Sequence, residues 1–134
     1  MDKKSEVEVL RKFVDTTVGI THKMAKDRMS NLVPPELVNK LENLLETNRR
    51  MKTDPKMEEL FNNYESGVID FDKMCHDMSV LSMEGSMDGQ LIAQSFLDEH
   101  KEEIMNFQIN LSAEKTNEMI DELGLKVSEI KGMN

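Results

Sequence analysis

Cys75 and His76 stand side by side in the run Asp72, Lys73, Met74, Cys75, His76, Asp77, and with His22 and His100 they are the residues whose types could hold a metal or form a nucleophile and base. On a helix, neighbours point about 100° apart, so Cys75 and His76 cannot share one ion, and the i, i+4 spacing of helical zinc motifs is missing. No metal ligand follows. Cys75 falls on an apolar stripe with Phe71, Met74, Met78 and Leu81, where a thiol packs as a small hydrophobe and lacks the cationic, accessible setting that activates a nucleophile. His76 then faces solvent.

Other chemistry fares no better. Glu58-Glu59, Asp98-Glu99 and Glu102-Glu103 are sequence neighbours of the kind that make solvated helix faces rather than acid and base dyads. Gly85 and Gly89 are too loosely spaced, and no lysine follows them, for either a phosphate loop or a dinucleotide fingerprint. The expectation is a non-enzymatic chain with no catalytic residue and no cofactor.

Charge is the stronger signal. Residues 1–56 carry 12 lysines and arginines against 9 carboxylates, a net of +3, whereas residues 57–134 carry 5 against 17, a net of −12. Such asymmetry points to partners. Carboxylates spread over helices dock on a basic surface and steer encounter with it, and Asp98, Glu99, Glu102 and Glu103 are the residues expected to do so. The predicted function is a small helical interaction protein (a regulator, adaptor or assembly factor) whose partner is a protein with a basic surface, with a homodimer as a further option.

A second reading uses the basic half. A helix, a turn at Val18-Gly19-Ile20-Thr21, a short basic helix and a proline-started third helix follow the order of a helix-turn-helix DNA-binding unit. Within the basic segment 19–52, His22, Lys23, Lys26 and Arg28 would face the duplex, with Arg49 and Arg50 on phosphates. Asp27 interrupts that face, and few residues suited to reading base edges lie near it.

The elements that would position these residues are all helices. Over residues 6–17, Val7, Leu10, Phe13 and Val14 repeat at steps of three and four. Gly19 then reads as a helix stop and Thr21 as the next N-cap, giving a second helix over 22–31, with Ala25 and Met29 inward. One unbroken helix over 6–31 is the competing reading. It would run about 39 Å at 1.5 Å per residue, longer than a compact domain of this size, and its overhang would need a partner.

Val33-Pro34-Pro35 ends that region, and Leu37, Val38, Leu41, Leu44, Leu45 and Met51 mark the next helix. Asp54-Pro55 restarts the chain as an N-cap and first-turn proline, with Met57, Leu60, Phe61 and Tyr64 inward. Ser66-Gly67 stops it and Asp70 caps the helix carrying Cys75. Residues 83–89, with two glycines, read as a loop. A helix over 90–108 follows, then a last one capped by Asn110 or Ser112, carrying Met119, Ile120 and Leu123 and stopped at Gly124, with Val127 and Ile130 in a final turn.

The fold class expected is all-α, a single-domain bundle of about six or seven helices over residues 1–134. Twelve methionines stand beside 5 Phe, 1 Tyr and no Trp. Their unbranched side chains suit a loosely specified core, or an exposed groove that accepts partner helices. The single cysteine allows no intrachain disulfide, and the charged first residues contain neither a leader nor a membrane span, so a cytoplasmic location and no membrane contact are expected.

Overall fold

The computed structural model describes the backbone of residues 1–132 and the side chains of residues 1–124. Among the described residues it is helical without strands: α1 (Lys3–Met29), α2 (Pro35–Asn48), a π-helical segment (Arg49–Thr53), α3 (Asp54–Glu65), α4 (Phe71–Glu99) and α5 (Lys101–Gly132). Because α2, the π segment and α3 run on without interruption, these make four continuous rods, fewer than the six or seven helices expected.

Helix α1 is unbroken for 27 residues. Gly19 does not stop it and Thr21 does not cap anything: an added Cβ at Gly19 would meet nothing within 4 Å, so this glycine is a weak spot on the exposed side of the helix rather than a turn. Asp2 is the true cap, accepting a hydrogen bond from the Ser5 amide at 2.7 Å. The Ser5 hydroxyl and amide together hold its carboxyl below the usual 3.8.

Pro34 and Pro35 start α2 as expected, Pro34 as N-cap and Pro35 in the first turn. Asp54, however, is no N-cap. Its φ of −60° and ψ of −43° are helical, and its amide reaches back five residues to the Arg49 carbonyl. Pro55 supplies the cause: without an N–H it leaves the Met51 carbonyl unanswered, and its ring crowds that carbonyl, so the backbone widens to π geometry instead of ending. The rod stops at Ser66-Gly67, where Gly67 has a φ of +81°, a left-handed conformation suited to glycine, and the Val68 amide closes on the Asn63 carbonyl at 2.9 Å.

Asp70 caps α4 by accepting from the Lys73 amide at 2.8 Å. The expected loop over 83–89 is helix. Gly85 and Gly89 sit on the face turned to the neighbouring rod, where a Cβ on Gly85 would lie 3.2 Å from Thr53 Oγ1 and one on Gly89 3.7 Å from Leu45 Cδ2. These glycines serve close approach, not a turn. Helix α4 therefore returns antiparallel along the whole of α2 and α3.

Helix α1 lies antiparallel along the same rod. Arg11 pairs with Glu58 at 2.7 Å near one end, and His22 and Lys26 reach Glu42 at 3.2 and 3.6 Å near the other. Two separate apolar clusters hold the three rods. One joins Val7, Met57, Phe61, Tyr64 and Met74; the other joins Val33, Leu37, Val38, Leu41 and Phe96, with Ile104 of α5 packed against it.

The chain bends at His100, inside the stretch read as one helix over 90–108. Helix α5 then runs through Asn110, Ser112 and Gly124 alike, so none of these caps or stops it. Gln108 Nε2 donates to the Leu32 carbonyl at 3.2 Å, tying α5 to the α1–α2 turn. From 112 to 124 every residue is exposed. The side chains of Val127 and Ile130 lie outside the described residues.

Candidate functional site

Burial sorts the sequence-predicted residues. Among the described residues no three of His, Cys, Asp and Glu come together around a point where an ion could sit. Cys75 is half-buried rather than fully enclosed, and His76 is exposed beside it. His100 stacks on Phe96 with ring centroids 4.5 Å apart and lies 3.3 Å from the Glu103 carboxylate. These contacts order the α4–α5 bend; they assemble no reactive pair.

Asp98, Glu99, Glu102 and Glu103 are all exposed and flank that same bend. The geometry thus places two carboxylates on the last turn of α4 and two on the first turn of α5. The basic residues of the second reading scatter instead. His22 and Lys26 turn toward Glu42, Arg50 pairs with Glu46 at 2.6 Å, and Arg49 lies 3.8 Å from Asp54. Lys23 is exposed about 60° around α1 from Lys26, and Arg28 is exposed on the opposite side of the helix. With α1 unbroken, the turn between the first two helices of a helix-turn-helix has no counterpart.

The surfaces that sequence reasoning missed are apolar. On α1, Val9, Phe13, Ile20 and Met24 form a stripe on the side away from Val7, each more than half exposed, with Phe13 at 66%. The spacing groups Phe13 with Val7, Leu10 and Val14, yet at about 100° per residue Phe13 lies about 120° around α1 from Val7, and the rods pack on the Val7 side. Val80, Met83, Met87 and Leu91 make a comparable exposed stripe on α4, and Leu44 and Met51 edge an open groove of about 490 Å³ over Phe96. A second set of apolar residues at steps of three and four was the signal available for them.

The total solvent-accessible surface is 10245 Å² for a 15.4 kDa chain. A compact monomer of that mass exposes about 7,200 Å², so roughly 3,000 Å² is surplus. Against protein-family models, curated proteins and solved structures the chain gives no match. No helix among the described residues is long and apolar enough to cross a membrane.

Proposed function

We propose that this chain is a non-enzymatic helical interaction protein, a regulator, adaptor or assembly factor, working in a reducing cytoplasm. The observation that supports it is the set of exposed apolar side chains, arranged as stripes along helices and rich in methionine. Met51, Met83, Met87 and Met119 are 74%, 63%, 59% and 64% exposed. Flexible, polarizable side chains of this kind adapt to partner helices. Asp98, Glu99, Glu102 and Glu103 at the α4–α5 bend add the electrostatic steering, which selects a partner with a basic surface.

The test is capture of partners from native cytosol, with and without nuclease. The expected outcome is a protein recovered regardless of nuclease and lost when Asp98, Glu99, Glu102 and Glu103 are all changed to lysine. Recovery that survives the charge reversal would remove the acidic bend from the interface. Recovery abolished by nuclease, together with salt-sensitive binding of random duplex, would replace this reading with nucleic-acid binding.

A further inference from the structure

We infer that the outer face of α4 is a homodimer seam, on which α4 of a second copy of this chain lies antiparallel. Lys73, His76, Val80, Met83, Met87, Leu91, Gln94 and Asp98 follow one another at steps of three and four, the a and d spacing of a helix–helix seam, and all of them are exposed. They fall within about 40° of one line, which runs roughly 160° around the helix from the buried Met74 and Phe96. This side points away from the other rods.

The order of residues along that line says what covers it. About a midpoint near Gly85, Lys73 mirrors Asp98, His76 mirrors Gln94, Val80 mirrors Leu91 and Met83 mirrors Met87, each to within half a residue. A two-fold axis through the midpoint therefore sets lysine against aspartate at both ends of the seam, imidazole against amide inside them, and apolar side chains against each other at the centre. A parallel copy would instead bring the two Lys73 side chains together and the two Asp98 together.

Every charged residue of α4 has a place in this arrangement. The helix holds six carboxylates and one lysine, and that lysine and Asp98 are the charged ends of the seam, which is neutral as a whole. A seam that selected a basic partner would be acidic throughout. Lys73 reaches Asp77 at 3.2 Å within its own chain, and its three N–H donors leave room for the second copy's carboxylate. Asp72 and Glu99 mirror each other but lie on opposite flanks, so the dimer keeps them apart. Asp77, Glu84 and Asp88 share one flank, where Glu84 and Asp88 of the two copies approach and repel; Lys56, which lines the α3–α4 groove with Asp77 and Glu84, tempers that repulsion. The other flank is uncharged beyond Asp72, with Ser79, Ser86 and Gln90. The pairing does not rest on the acidic bend as a docking site, since Glu99, Glu102 and Glu103 stay outside the seam.

Carbodiimide cross-linking of the full chain, read by peptide mass spectrometry, tests it. Lys73 and Asp98 stand about 38 Å apart along one helix, so a direct amide bond between them forms only between two copies. The expected result is that cross-link, together with a sedimentation-equilibrium mass that climbs from 15.4 kDa toward twice that value through the micromolar range. Lys73→Asp and Asp98→Lys should each weaken association at least about tenfold, and the two combined should restore it, because the exchanged charges still oppose each other across the axis. Both changes suit the helix dipole, so the fold is retained. Met83→Ser with Met87→Ser should hold the chain at 15.4 kDa, Phe13→Ser on the outer stripe of α1 should leave the dimer intact, and Glu84→Gln should tighten it. A chain that stays monomeric throughout that range overturns the inference, as does a dimer without the Lys73–Asp98 cross-link, or one that the combined exchange fails to restore.

Discussion

Tyr64, at the end of α3, donates its hydroxyl to the carboxylate of Glu6 in the first turn of α1, linking positions 58 residues apart. Tyr64 is buried at 5% exposure, its ring edge-on to Phe71 with centroids 5.9 Å apart and Lys3 Nζ 5.1 Å from its centre. Together with Val7 in the same apolar cluster and the Arg11–Glu58 pair, it fastens the start of α1 to α3.

That bond makes a pH prediction. The hydrogen bond to Glu6, followed by burial, pushes the Tyr64 phenol from 10.0 up to about 12. A group whose folded pKa is raised keeps its stabilising contribution below the unfolded pKa and loses it as pH rises through the folded one. Thermal stability should therefore fall between those two values, and Tyr64→Phe should remove that part of the slope. As the chain has 1 Tyr and no Trp, tyrosinate absorbance reports this group alone, and an unshifted titration would refute the bond.

The glycines give opposite expectations. Gly19→Ala adds a methyl group where nothing lies within 4 Å, at an exposed position in the middle of a helix, and should raise stability by about 0.5–1 kcal/mol. Gly85→Ala places its Cβ 3.2 Å from Thr53 Oγ1, so the gain in helix propensity should be offset by displacement of that contact. Chemical denaturation of the two variants decides it; destabilisation by Gly19→Ala would restore the turn that the sequence suggested.

Leu41 and Leu44 share one sequence stripe but not one fate. Leu41 is 1% exposed and Leu44 47%. Leu41→Ala should cost about 2–5 kcal/mol and Leu44→Ala under about 0.5, as read from denaturation midpoints. A comparable loss at Leu44 would show that its groove is covered.

Caps can be separated in the same way. Asp70→Ala should cost about 1 kcal/mol by freeing the first-turn amides of α4. Thr21→Ala and Ser112→Ala, both at mid-helix positions, should cost nothing or stabilise slightly. A penalty of cap size at Thr21 would mean that α1 breaks there.

Local chemistry that acts within one turn was legible in the sequence. Pro34-Pro35, Ser66-Gly67 and Asp70 each mark a boundary that the structure keeps, because the missing N–H, the positive φ and the capping carboxylate need no distant partner. Gly19, Gly85, Gly89 and Gly124 misled, since a glycine in a helix looks the same in sequence whether it ends the helix, admits a neighbour or merely weakens it. The α1 and α4 stripes were hidden for another reason: a helix with apolar residues on two sides yields several overlapping periodic sets, and only packing shows which one is inside. At the site, the exposure of Asp98, Glu99, Glu102 and Glu103 was foreseeable, whereas the bend at His100 between the two pairs was not.

The π-helical segment has a consequence for phase. At about 100° per residue, an unbroken α-helix would turn Met57, Phe61 and Tyr64 roughly 160° away from the direction in which Leu37, Val38 and Leu41 point. One residue absorbed into the wider turn rewinds the second half by about 100°, which brings the two sets within about 60° of each other, so that both clusters meet α4. The stretch thus behaves as a gear with one spare tooth: the rod from Pro35 to Glu65 is two helices of different phase coupled into one, and Pro55 keeps the coupling in place.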